Sequence, residues 1–307
     1  MAWIVITAAL FCLTVKGYSG KRTSAYVERA GDAFLFNCAR MALCLAIGLI
    51  LVLFEGAGRQ LRIDGKMLAV CALAGISSAV SVAAWMLAVR KNSMVMLDVT
   101  VTAGSILPAV LCALIFAEAI SVHKLLGFVL VVIAAGVLAG YSKQAVGKPG
   151  VAGLMWLFLY ALGDGLNSFA QQLYKQLCSA EGAFTAGGPI YPKSVFHFYT
   201  YGFALLFLLL VYALRRPRGQ MTRPAAIRKA LPHIGVMAVC LFAANYFQTV
   251  AANDYAVPSQ ILYPVIKGGS LITVNVTAML FFGEKPTWRS ICGTGLALAG
   301  IVLMNVL

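Results

Sequence analysis

Apolar runs alternate with short polar breaks along the whole chain, and the runs have a telling length. A helix needs about 20 mostly apolar residues to cross the hydrocarbon core of a bilayer. Reading the runs against Gly, Pro and charged breakers predicts ten such helices, at 3–18, 33–54, 67–89, 94–116, 123–141, 151–174, 194–214, 231–252, 257–282 and 287–306. The first is the shortest and ends raggedly at Lys16-Gly17-Tyr18. It lacks the basic start and small-residue cleavage site of a signal peptide, so it is expected to stay as a span. Two connections are longer than the rest: 177–193, rich in Gly and Pro, and 215–230, with six basic side chains.

Composition changes the picture by exclusion. Hydrophobic residues make up 61% of the 307 and charged residues 11%, with a mean hydropathy of +0.89. Soluble domains are about 45–50% apolar and about 25% charged. A soluble enzyme, a disordered chain and a disulfide-stapled secreted domain are therefore excluded, which leaves an all-α polytopic membrane protein. The net charge of +14 would suggest a nucleic-acid binder in a soluble protein. Here the basic residues sit in connectors, as in membrane loops, so no nucleic-acid partner is expected. The eight cysteines include no C-x-x-C pair; seven lie in apolar runs and Cys178 in a connection. Neither a disulfide framework nor a metal site follows, and no cofactor is expected.

The chain divides at a polar hinge, 143–150, into five spans over 1–142 and five over 151–307. The halves end alike. Glu118 is followed by Ser121 and Gly127; Glu284 is followed by Thr287 and Gly293. Both read F-x-E-x-x-[S/T], with Gly nine residues after the Glu: a span ending near the interface, a turn, and a Ser/Thr cap on the next helix. The later Gly allows close helix packing, as does Gly136-x-x-x-Gly140 in the fifth span, which would join the halves or make a dimer. An odd number of spans per repeat inverts the second copy relative to the first. Inverted repeats are the architecture of many secondary transporters, with the substrate site at the midplane between them.

With these features the chain resembles the drug/metabolite transporter (DMT) superfamily, EamA type. The resemblance rests on the ten spans, the midpoint hinge, the paired Glu118/Ser121 and Glu284/Thr287 turns, and Arg40 followed by Ala42 and Leu43 early in the second span. Two departures stand out. Pro108 lies ten residues before its Glu and Pro264 twenty, and Ala117 stands where the pattern prefers Gly, as at Gly283. The resemblance implies an alternating-access transporter of small metabolites or drugs and no enzymatic reaction. It also implies termini in the cytoplasm, whereas fifteen basic residues follow odd-numbered spans against six after even-numbered ones. The charge bias points to termini outside. The expected location is a multi-pass protein of the plasma (inner) membrane of a prokaryote. Its partners would be lipids and a small-molecule substrate, its state monomer or homodimer.

A charge within a span costs about 2.5–3.5 kcal/mol on insertion scales, so it faces a partner or a wet cavity. Lys16, Arg40, Asp98, Asp164 and Lys267 are the charged residues within spans. Lys267 is central, with Tyr263 one turn before it and Gly268-Gly269 after it, and reads as a cationic substrate contact or a salt-bridge partner for Asp98 or Asp164. Asp164, Asn167 and Gln171 share one helix face, leading to Lys175, and read as a pathway lining or a hydrogen-bonded helix seam. Asn245 and Gln248, with Trp85 as an aromatic wall, are further candidate substrate contacts. Asp164 and Asp98 are candidate proton carriers, although Asp98 near a span end also reads as solvent-exposed. Arg40 reads as a helix-end anchor or a substrate contact, Lys16 as lying close to a span end, and His197 as an interfacial residue.

The expected function is a secondary active transporter of a small polar or zwitterionic metabolite or drug. The alternatives are an intramembrane lipid or prenyl transferase, or a non-transporting structural or receptor-like protein. A transferase needs paired acidic residues, an HExxH helix or a Ser/His or Asp dyad in the spans, and none stands at useful spacing.

Overall fold

The computed structural model describes residues 1–27, 30–89, 94–116, 121–146, 150–180, 182, 189–215, 224–283 and 287–306. The regular secondary structure of these residues is helical. In chain order the helices are α1 (Ala2–Ser24), α2 (Ala30–Phe54), α3 (Gly65–Ala88), α4 (Met94–Gly104), α5 (Ile106–Phe116), α6 (Val122–Val146), α7 (Val151–Cys178), α8 (Lys193–Arg215), α9 (Pro224–Asn253), α10 (Ser259–Phe282) and α11 (Trp288–Val306). A 3-10 turn, Ala57–Leu61, follows α2. By length and composition, seven stretches are fit to cross a membrane, one of them running through α4 and α5. The chain is an integral, multi-pass membrane protein.

The helix ends have local causes. Asp64 caps α3, its Oδ1 accepting the Met67 N–H at 2.9 Å. Thr287 stands just before α11 and its Oγ1 accepts the Ser290 N–H at 3.3 Å. Gly283 closes α10 at φ 65°, a left-handed cap that costs a glycine little. Glu118 and Glu284 of the paired turns lie outside the described residues.

Several expected boundaries move. α1 does not stop at Tyr18 but runs to Ser24, because Ser19, Gly20, Thr23 and Ser24 are buried against its neighbours. The basic connection 215–230 is shorter than expected: Pro224 opens α9, since proline loses nothing at a helix's first position. Cys178 lies in no loop; it is the buried last residue of α7. α6 continues through Val146, into the expected hinge.

The fourth span is broken at Ser105, between α4 and α5. Pro108 has no N–H to give the Gly104 carbonyl, the bond that would carry a helix through this point. That carbonyl abuts Gly165 of α7, where an added Cβ would lie 2.6 Å from it. The break and the glycine belong together.

Packing reverses the pattern of a soluble protein. The exterior exposes Trp3, Phe11, Leu53, Leu114, Leu125, Phe158 and Leu280, while Asn37, Arg40, Asp98, Gln171, His197, Gln248 and Lys267 are buried. The apolar surface suits lipid, and the buried polar groups gather inside the bundle. The main helix pairings are α3 with α7 and α8, α1 with α9 and α10, α2 with α8 and α9, the α4–α5 span with α6, α7 and α10, and α11 with α6 and α10. Exchanging α1 for α7, α2 for α8, α3 for α9, the α4–α5 span for α10 and α6 for α11 leaves this set unchanged. The α1·α9 pair becomes α7·α3, and the α4·α6 pair becomes α10·α11.

Glycines set the closest crossings. A Cβ at Gly300 would lie 2.7 Å from the carbonyl of Gly127, so α11 and α6 meet backbone to backbone there. Gly293 is buried on α11. Gly136 faces open space, with nothing within 4 Å of an added Cβ, so it joins no helices within the chain. Gly140 follows it one turn later on α6.

Candidate functional site

The five charged residues that the sequence places within spans converge on two adjoining cavities at the centre of the bundle. The first is lined by Lys16 from α1, Arg40 from α2, Ser78, Ser81 and Trp85 from α3, Tyr160, Asp164 and Asn167 from α7, Asn245 and Gln248 from α9, and Lys267 from α10. The second shares Lys16, Trp85, Tyr160 and Lys267 and adds Asp98 and Ser270. Both are narrow here, about 30 Å³ each, room for a few water molecules at most. The site is narrow around its charges.

Lys267 Nζ lies 2.6 Å from Asp164 Oδ2, and the side chains are 8% and 16% exposed. Glycines position both. A Cβ at Gly163 would lie 2.7 Å from Ser81 N and 2.8 Å from Ser77 O, so α7 is pressed onto the α3 backbone. Gly165 presses it onto α4 at Gly104 on the other side of Asp164. On α10, Cβ atoms at Gly268 and Gly269 would lie 2.4 Å from Ile301 and 2.7 Å from Leu10. The two glycines after Lys267 thus admit the side chains of α11 and α1 rather than a substrate.

The other expected residues divide. Trp85, Asn167, Asn245, Gln248 and Asp98 line the cavities. Asn245 Nδ2 donates to Tyr201 Oη at 2.9 Å, which orients its carboxamide. Asp98 is 9% exposed, so the solvent-exposed alternative for it fails: the α4 packing carries it inward. Tyr263 does not reach the cavities. It is buried in an apolar cluster, and its hydroxyl accepts from Gln172 Nε2 at 3.3 Å. Of the polar face of α7, Asp164 and Asn167 line the cavity; Gln171 is buried and lines neither.

Sequence reasoning underrated two cations. Lys16 sits within α1 rather than near its end, and it senses the charges of Lys267, Asp164, Arg40 and Asp98. Arg40 is 2% exposed and lines the first cavity. His197 is not interfacial: it is buried, 3.1 Å from Thr249 Oγ1, among the rings of Phe196, Tyr201, Phe242 and Tyr246. Tyr160, which lines both cavities, carried no signal in the sequence beyond its place two turns from the α7 start.

The bundle's two ends differ. Where α2 and α9 end and α8 begins, Ser194 Oγ donates to Glu55 Oε2 at 2.5 Å and Tyr246 Oη to Glu55 Oε1 at 3.1 Å. Lys193 pairs with Asp254 at 2.5 Å beside them. At the opposite end a recess of about 530 Å³ opens beside Lys21, Arg22, Val89 and Phe282. Arg22 lies over the rings of Tyr18 and Phe282, 5.5 and 5.7 Å from their centres. Among the described residues no group of three or more metal-ligating side chains occurs.

The model of the EamA-like transporter family matches residues 189–306, which span α8 to α11 and carry Asn245, Gln248 and Lys267. Over these residues the chain is similar to that family. No curated protein matches the chain. Among solved structures 27 chains match. One, titled only "Crystal structure of protein", is 13% identical, aligns over 99% of this chain and 97% of its own length, and has a TM-score of 0.67. At that identity the likeness shows the fold alone, over nearly the whole chain.

Proposed function

We propose that the protein is a secondary active transporter that carries a small polar solute through the central cavity by alternating access. The observation that carries this reading is the convergence of Lys16, Arg40, Asp98, Asp164 and Lys267 on one narrow site inside an apolar bundle. Ionic groups are costly in a membrane, and a solute pathway is the function that needs them there. The cavity walls come from α1, α2, α3 and α4 on one side of the chain's midpoint and from α7, α9 and α10 on the other. We read the two sides as five-span repeats over 1–142 and 151–307. The helix pairings that survive exchange of the halves support this, as does the arrangement of inverted repeats around a midplane site in many transporters.

In this reading the repeats rock against each other, and the ties among Glu55, Ser194, Tyr246, Lys193 and Asp254 close one end. Asp164 and Asp98 are the carboxylates placed to carry a coupling proton. The test is solute flux in proteoliposomes with and without a pH gradient. Saturable flux that Asp164→Asn abolishes is expected; flux equal to that of empty liposomes for every solute class would remove the proposal. Flux indifferent to the pH gradient would remove proton coupling alone.

A further inference from the structure

We propose that Arg40 is the docking point for the acid group of an organic monoanion, a carboxylate with an apolar body. The inference rests on the transport reading and names the substrate class for that cavity. Arg40 lines the first cavity at 2% exposure, and its Nε and Nη2 atoms have no hydrogen-bond partner. A guanidinium offers five donors in a planar fork and stays charged even inside a protein, so it does not escape the cost of burial by losing a proton. Among the described residues no carboxylate forms an ion pair with it, and its ionisable neighbours are the neutral Cys44 thiol and the Tyr201 and Tyr160 phenols. Lys16 adds a like charge.

The acids of the site are committed elsewhere. Asp164 is paired with Lys267 at 2.6 Å. Asp98 lines the second cavity, which Arg40 does not line, and acts on Lys16. Among the described residues of the two cavities, three cations therefore face two carboxylates, and one positive charge is uncompensated. An acid group of single charge would neutralise it and satisfy the open donors, forming charge-assisted hydrogen bonds. A zwitterion would bring an ammonium group with no carboxylate left to receive it. A phosphate monoester, with a charge near −2, would overshoot. The wall around Arg40 includes Leu13, Val82, Trp85, Tyr160 and Leu241, an apolar and aromatic lining suited to a hydrocarbon body.

The probe is phenylacetate, with phenylacetamide, phenethylamine and phenylalanine as neutral, cationic and zwitterionic counterparts. Thermal melting of the purified full chain reads binding. Phenylacetate is expected to raise the melting temperature by several degrees, with the other three inert, and Arg40→Gln to weaken that binding about 10- to 100-fold. Arg40→Lys keeps the charge without the fork and should bind with intermediate strength. The ligand-free variant supplies a second readout: Arg40→Gln removes a buried, unpaired charge, so its melting temperature should equal or exceed that of the wild type. A large drop there would make Arg40 a structural group and overturn the proposal. So would a panel in which phenylalanine or phenethylamine stabilises the protein and phenylacetate does not, or in which none of the four does.

Flux measurements on the same panel separate the two readings. Phenylalanine flux without phenylacetate binding sinks the anion site and leaves the transporter. Stabilisation by phenylacetate with no flux of any solute sinks the transporter and leaves the anion site.

Discussion

The Lys267 ammonium and the Asp164 carboxylate stand 2.6 Å apart and tie α10 to α7 in the wall of the central cavity. Each is the other's counter-charge, so the pair is part of the frame as well as part of the site. Breaking a buried pair by removing one partner costs about 3–5 kcal/mol, because the remaining charge is left stranded. Lys267→Ala should therefore melt well below the wild type in addition to losing transport. The double variant Lys267→Met/Asp164→Leu should recover most of the stability and none of the transport. A single variant that melts like the wild type would show that the pair carries no structural weight.

The glycines beside this pair give a second expectation. Gly163→Ala drives a methyl group to within 2.7–2.8 Å of the α3 backbone at Ser77 and Ser81, which cannot move aside as a side chain can. Overpacking of this kind costs about 1–3 kcal/mol. Gly136→Ala enters open space and should be neutral or slightly stabilising, since alanine is the better helix former. Comparing the melting temperatures of the two variants checks both.

The ties at one end should govern access to the cavity. Ser194→Ala and Tyr246→Phe each remove one hydrogen bond to Glu55, worth about 0.5–1.5 kcal/mol. That shifts the balance between closed and open states about two- to tenfold. A cysteine at position 248, in a background with the native cysteines replaced, should then react faster with a membrane-impermeant thiol reagent added from the Glu55 side. Unchanged labelling in both variants would show that the ties do not gate.

Restoring the hydrogen bond missing from the fourth span tests its break. Pro108→Ala supplies an N–H for the Gly104 carbonyl and should make α4 and α5 one continuous helix. Amide exchange around 104–108 should slow, the melting temperature should hold or rise, and transport should fall. Exchange as fast as in the wild type would place the cause of the break elsewhere.

Much of this arrangement was legible in the residues, and the exceptions have reasons. The ten spans follow from run lengths, and Lys267 and Asp164 follow from their depth within two of them. Lys16 was misplaced because hydropathy marks where apolar residues stop, not where a helix stops. α1 continues through Ser19, Gly20 and Thr23, small polar residues that bury well but read as a connection. Gly20 is the extreme case: an added Cβ would lie 2.3 Å from the Trp85 ring, a contact no local pattern announces. Tyr263 lies one turn from Lys267 and so pointed to the site, but Gln172 holds its hydroxyl. That Arg40 has no counter-ion among the described residues depends on which helices come together around it, and nothing in the sequence near Arg40 encodes that.

The joint at Ser105 has no equal in α10, the helix that takes α4's place when the halves are exchanged, for α10 runs unbroken from Ser259 to Phe282. One half therefore carries a jointed span, the other an unbroken one. Asp98 rides on α4, which packs on α6, α7 and α10, while α5 beyond the joint packs mainly on α7. On the proposed alternating-access reading, two such halves could not trade roles without a difference in energy, and the empty protein would rest facing one side of the membrane.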